Sequence, residues 1–145
     1  MHSKTLLHAF LAFSLFGLVI SGYSLLHNRG LTTGEFCTLT ETVNCDVVNK
    51  GAYSSFVGIP VSLIGVIGYF FLLVGGVLQL RDRDDRSLTQ FLLIATSLGL
   101  LFSLYLTGLE AFVLHAWCLL CLSSQAIMLV LFGIALQLFL QRRNV

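Results

Sequence analysis

Apolar residues run almost unbroken through four stretches of the chain, and the polar positions collect between them. A helix crosses the hydrocarbon of a bilayer with about 20 residues. Thr5–Leu26, Phe56–Leu80, Leu88–His115 and Trp117–Leu140 each reach that length. What remains is a short N-terminus, a long loop His27–Ser55, a charged turn Arg81–Ser87 and the tail Gln141–Val145. The pattern predicts one all-α integral membrane domain over residues 1–145. It is a four-transmembrane-helix bundle with a long outer loop between helices one and two, and it leaves no soluble domain. Lys4 before the first apolar run would suit a signal peptide. However, Thr5–Leu26 is longer than the usual apolar region of one, and no Ala-x-Ala-like site follows, so it is read as a spanning helix.

Composition sharpens this picture. The 145 residues are 57% hydrophobic and 10% charged, with a mean hydropathy of +0.92, whereas soluble domains carry about 25% charged residues. The net charge of +1 gives no footing for a nucleic-acid partner. Its distribution is more informative. Of the eight Lys and Arg residues, Lys4, Arg81, Arg83, Arg86, Arg142 and Arg143 fall on one side of four alternating crossings, and only Arg29 and Lys50 fall opposite. Short loops rich in Lys and Arg stay in the cytoplasm. Both termini are therefore expected there, with the first loop and the third connection facing outward.

All four cysteines then face outward. Cys37 and Cys45 lie in the first loop, while Cys118 and Cys121 open the fourth helix. Disulfides persist on that side of the membrane, and an even count suits disulfide chemistry. Cys118-Leu119-Leu120-Cys121 is a Cys-x-x-Cys motif whose i, i+3 spacing puts both side chains on one helix face. In the first helical turn, Cys118 is placed for its thiolate to be favoured by the helix dipole. Exchange requires direct attack of a thiolate on a sulfur, so the loop must bring Cys37 or Cys45 to Cys118. Gly30, Gly34, Thr32, Thr33, Thr38, Thr40 and Thr42 make that loop poorly apolar, a segment not expected to pack rigidly. The Cys37–Cys45 span is short enough to close as a disulfide; pairing of one loop cysteine with Cys118 is the other arrangement. Static structural disulfides, or a zinc site built from the four sulfurs, are the alternatives to a redox role. Extracytoplasmic oxidation competes with metal binding, so no metal is assigned.

A spaced cysteine pair in a long first outer loop, then Gly58-Ile59-Pro60 leading into Ser62-Leu63-Ile64-Gly65-Val66-Ile67-Gly68-Tyr69, then Cys118-x-x-Cys121 opening the last helix, resembles the vitamin K epoxide reductase family. The resemblance covers most of the chain, and the order of the two pairs is part of it. It implies a four-helix bundle around a quinone. Cys121 would be the thiol at the quinone ring and Cys118 its disulfide partner. Cys37 and Cys45 would be a shuttle pair drawing electrons from a thioredoxin-fold protein. Some members carry that domain fused, whereas this sequence stops at Val145, so a separate soluble partner is expected.

Measured against the vertebrate pattern, the family's serine six residues after the second loop cysteine falls at Gly51, with Ser54 and Ser55 nearby. Its quinone-contacting asparagine falls near Val61, and its tyrosine four residues past the Cys-x-x-Cys is Gln125. These departures imply a respiratory quinone of ubiquinone or menaquinone type rather than vitamin K epoxide. The expected direction follows from the compartment. A periplasmic oxidant near about −120 mV needs a still stronger acceptor, with each 30 mV worth about 1.4 kcal/mol. The reading is therefore reoxidation of a partner dithiol with quinone reduced to quinol, in a bacterial cytoplasmic membrane.

Other residues add to the candidate site. Glu110, an ionisable group inside the third span, is a functional candidate for proton delivery or for a hydrogen bond at the bundle end. Trp117 beside Cys118 is a candidate for stacking on a ring, although Trp is also the ordinary interfacial residue. His115 is read as interfacial with no special role, and Tyr53 and Phe56 share the ambiguity of Trp117. Gly99, Ser103 and Thr107, like Ser14, Gly17 and Ser21, are read as small residues that let helices approach. The turn Arg81–Arg86 is read as a solvated segment that sets topology, and Pro60 as a first-turn proline.

Overall fold

The computed structural model describes residues 2–33 and 35–144; Gly34 of the loop reading lies outside the described residues. In chain order the elements are α1 (His2–Asn28), a 3-10 turn (Glu35–Cys37), α2 (Cys45–Lys50), β1 (Ser55–Phe56), β2 (Ile59–Pro60) and α3 (Val61–Arg81). Then come α4 (Arg86–Leu109), a π turn (Glu110–Leu114) and α5 (Leu119–Arg143). Among the described residues, four helices are long and apolar enough to cross a membrane: α1, α3, α4 with its π extension, and α5. The protein is an all-α four-helix membrane protein.

The helices form a ring in which α1 lies between α3 and α5, and α4 joins α5 back to α3. Leu7, Phe10, Tyr69, Leu72, Leu92 and Leu131 fill the middle. Phe16, Val19, Phe70, Phe71, Ile94 and Leu101 point outward and are exposed. An apolar outer face of this kind matches lipid, which is as apolar as the side chains themselves, so association rests on close fit rather than on exclusion of water. Small residues supply that fit between α1 and α3. A side chain at Gly17 would run into the Tyr69 ring, and one at Gly65 would meet Ser21 Oγ at 2.8 Å. Tyr69 is anchored across the bundle, its hydroxyl donating to the Ser124 carbonyl at 2.8 Å.

The second span starts five residues later than the apolar run predicts, at Val61 rather than Phe56. Ser55–Phe56 pair antiparallel with Ile59–Pro60, and the turn between them holds Val57 at φ 54° and Gly58 at φ 80°. That double positive φ is the geometry of the tight hairpin turn whose twist matches its strands. Pro60 is the residue before the helix rather than a member of its first turn.

The loop is also more ordered than its composition suggests. Asn44 caps α2, its Oδ1 accepting from Asp46 N at 2.9 Å and Val47 N at 3.4 Å. Two polar bonds then dock α2 on α1: Ser24 Oγ donates to Asn49 Oδ1 at 3.0 Å, and the Asn28 amide donates to the Asn49 carbonyl. Cys37, Cys45 and Asn49 end up buried. A few directed bonds and the sulfurs order this segment, and apolar composition does not register them.

Candidate functional site

Backbone pairing at one end of the bundle brings the two cysteine pairs together. Thr38 bridges Asn44 within the loop, and Val43 bridges Trp117 in the connection before α5. Trp117 N donates to Thr42 O at 2.7 Å, and Asn44 N donates to Trp117 O at 3.1 Å. One residue beyond each paired position stand Cys45 and Cys118. Their sulfurs lie 3.1 Å apart, so the chain itself sets the register of the sulfur contact.

Cys37 and Cys45 form a disulfide with Cα atoms 5.5 Å apart, while Cys118 and Cys121 carry free thiols. The sulfurs of Cys37, Cys45 and Cys118 all lie within 4.8 Å of one another. With two of them joined, they present a bond to be attacked and a thiol to attack it. Cys118 is the N-cap of α5 rather than a residue of its first turn, with φ −104° and ψ 117°. Its sulfur accepts from Cys121 N at 3.4 Å, taking the place an oxygen usually has at a helix start, where backbone N–H groups lack partners. The Cys121 thiol beside it holds the Cys118 thiol below the usual cysteine range, and burial opposes that shift. Asn49 adds a further donor, its Nδ2 lying 3.9 Å from the Cys118 sulfur.

Cys121 faces a different space. A cavity of about 350 Å³ opens among the four spanning helices, and Cys121, Glu110, Val61 and Gln125 all line it. Its wall is mainly apolar, with a few polar groups interspersed, the usual make-up of a small-molecule site. Gln125 is held by the Thr107 hydroxyl. Glu110 is 2% exposed, and its carboxylate accepts the Cys118 N–H at 3.2 Å. That contact sits where α4 widens into its π turn, a distortion common at functional sites. His115, at φ 50°, ends the turn in a left-handed conformation with its side chain exposed.

Trp117 is not brought to the cavity. Its backbone is committed to the loop pairing, and the residue is 38% exposed. Gly99, Ser103 and Thr107, read as a close-approach stripe, also line the cavity, and at Gly99 the close approach is present too, since a side chain there would meet Met128 Cε at 2.9 Å. Their small side chains leave room where larger ones would close it. Ser103 Oγ is buried there without a partner among the described residues.

Three contributors were not singled out from the sequence. Asn49 lies four residues after Cys45, on the same face of a helix, a signal usable only once α2 is recognised. Ser24 and His27 lie on α1 below the loop. His27 is fully buried, with Nε2 2.9 Å from Asp46 Oδ1. Lys50 reaches the same oxygen at 3.1 Å. The hydrogen bond from Lys50 holds the Asp46 carboxyl below the usual carboxylate range, with smaller contributions from its charge and from His27 against partial desolvation.

The family model described as Vitamin K epoxide reductase family matches residues 8–136 of the chain, a stretch that includes both cysteine pairs and every cavity residue named above. No curated protein matches the chain.

Proposed function

We propose, since the chain belongs to the vitamin K epoxide reductase family, that this membrane thiol–disulfide oxidoreductase carries electrons from a partner dithiol to a membrane quinone and so supports disulfide formation. The observation that carries the reading is the split role of the Cys-x-x-Cys. Cys118 touches Cys45 of the loop disulfide, while Cys121 lines the cavity.

The relay balances as follows. A thiolate of a thioredoxin-fold partner attacks Cys37, breaking the Cys37–Cys45 bond and releasing Cys45 as a thiolate. The partner's second thiol then frees Cys37 and leaves as the partner disulfide. Cys45 attacks Cys118 of an oxidised Cys118–Cys121 pair and releases Cys121. Cys37 then attacks Cys45, restoring the outer disulfide and leaving two electrons on the inner pair. The structure has an outer disulfide and two inner thiols, the arrangement with which this sequence of exchanges ends. Asn49 offers its amide to Cys118 as that sulfur leaves as a thiolate, a charge-assisted bond of the stronger kind.

A quinone bound in the cavity would supply an acceptor of two electrons and two protons, the form released being quinol. The lining fits such a group: the space is mostly apolar, and the Ser103 hydroxyl is free to meet a ring carbonyl. Cys121 would present its sulfur there, Cys118 would close the inner disulfide, and Glu110, which meets the Cys118 N–H and lines the same cavity, is placed to pass protons. Val61 and Gln125 shape the wall. We assign the thiol end to the outer face of a bacterial cytoplasmic membrane because the arginines collect at the opposite end.

The test is quinone reduction by the purified protein with a reduced thioredoxin-fold dithiol as donor. Turnover is expected in the parent and lost in Cys121→Ala and in Cys37→Ala. With a small-molecule thiol as donor, turnover is expected to persist in Cys37→Ala alone. A parent inert toward both ubiquinone and menaquinone analogues would refute the reading.

A further inference from the structure

The bundle end opposite the thiols holds a second cavity, of about 500 Å³, formed where all four spanning helices begin or end. Ser3 and Leu7 of α1, Gln79 of α3, Thr89 of α4, and Leu138, Gln141 and Arg142 of α5 line it. The α3–α4 turn contributes Arg83 and Asp84, and the first residue of α4 is Arg86, which lines it too. The lining thus sets three guanidiniums against one carboxylate. The ion pairs found within 4 Å among the described residues both involve Asp46, at the far end of the molecule. Positive charge in this cavity is therefore not consumed by the lining itself.

The turn is also built, not merely solvated. Gln79, 1% exposed, donates its amide to the carbonyls of Arg83 at 3.2 Å, Asp82 at 3.3 Å and Asp85 at 3.4 Å. Its own oxygen accepts from the buried Thr89 hydroxyl at 3.0 Å. Asp85 spends its carboxylate capping α4 through Ser87 N and Leu88 N. These bonds fix the backbone from which Arg83 and Arg86 rise, so little ordering is left for a ligand to impose. Guanidiniums held on a fixed frame recognise phosphate oxygens, which accept parallel N–H bonds. The depth is suitable too, since Leu7 and Leu138 form an apolar floor where the spanning helices end. Basic pockets between helices at a membrane surface take anionic headgroups.

We propose that this cavity is a binding site for an anionic phosphate group, supplied by the phosphodiester of an acidic phospholipid, with Arg83, Arg86 and Arg142 as its ligands. The lipid would pin the turn to α5 and α1 and so brace the ring at the end that carries no disulfide.

The experiment uses the full chain purified in a neutral detergent, with thermal unfolding followed on addition of phosphatidylglycerol, phosphatidylcholine or inorganic phosphate. Phosphatidylglycerol is expected to raise the Tm by several degrees and phosphatidylcholine to leave it unchanged. The rise is expected to be largely lost in the Arg83→Gln/Arg86→Gln variant, reduced in Arg142→Gln and retained in Arg143→Gln, whose side chain does not line the cavity. The Tm in phosphatidylcholine shows that each variant is folded before its response is read. A rise with inorganic phosphate alone, matching that with phosphatidylglycerol, would overturn the lipid as source. Equal shifts in the parent and the double variant, or no shift with either anion, would overturn the site.

Discussion

The two ends of the bundle are closed in opposite ways. At the thiol end a long connection folds back on the helices, and its bonds lead toward sulfur: the Val43–Trp117 bridge, the Ser24–Asn49 bond and the Cys45–Cys118 contact. At the other end a short turn is held by one buried glutamine and a capping aspartate, and their bonds lead to the turn's own backbone and to Thr89. The first arrangement places reactive atoms within reach of each other, and the second holds helices together. Substitutions at the thiol end should therefore change rates in a protein that still folds. Substitutions at the arginine end should change stability in a protein that still turns over.

The largest expected effect is that of Cys118→Ala. It removes both the partner of Cys45 and the resolving thiol of Cys121, so quinone reduction falls to the uncatalysed background with either donor while far-UV circular dichroism is unchanged. Next is Glu110→Gln, which keeps an acceptor for the Cys118 N–H but removes the group that can exchange a proton. Positioned acid–base groups contribute about 10²–10⁴-fold, and steady-state turnover should fall toward that range. Asn49→Leu deletes one donor to a thiolate. A hydrogen bond to a charged group is worth about 1.5–3 kcal/mol, so stopped-flow exchange between the loop and the inner pair should slow by roughly the corresponding 10–100-fold.

Gln79→Leu belongs to the other end. It leaves the turn carbonyls and the Thr89 hydroxyl without their partner, a cost of about 1–3 kcal/mol, and the Tm should drop while turnover per folded molecule holds. An equal loss of turnover would erase the distinction between the two ends.

The smallest effect is that of pH on α2. Asp46 has its folded value below the unfolded one. Its contribution is therefore complete above the unfolded carboxylate value of about 3.9 and is lost as pH falls through the folded value. Amide exchange in α2 should quicken slightly over that acid window, and Asp46→Asn should remove the dependence.

The helices were legible because apolar length is a one-dimensional signal, and the cysteine order was legible because it survives without coordinates. The start of α3 was not, since Phe56 reads as part of an apolar run and only the positive φ of Val57 and Gly58 shows the hairpin. The order in the loop was hidden for a related reason: Thr and Gly content says nothing about the Asn44 cap or the Asn49 docking bonds. Gly99, Ser103 and Thr107 show the limit of periodicity. The stripe holds a close approach, Gly99 against Met128, and also lines the cavity, and periodicity alone does not announce the second. Trp117 draws notice in the sequence for its ring, and nothing there marks the bonds that its amide and carbonyl make to the loop.

The most direct measurement of the relay is trapping of the exchange intermediate. In the Cys37→Ser/Cys121→Ser protein under mild oxidation, peptide mass spectrometry should find Cys45 joined to Cys118. In Cys45→Ser/Cys121→Ser the Cys37–Cys118 bond should form more slowly. Rapid formation of Cys37–Cys118, with Cys45 and Cys118 remaining as free thiols in the first variant, would contradict the route through the 3.1 Å contact.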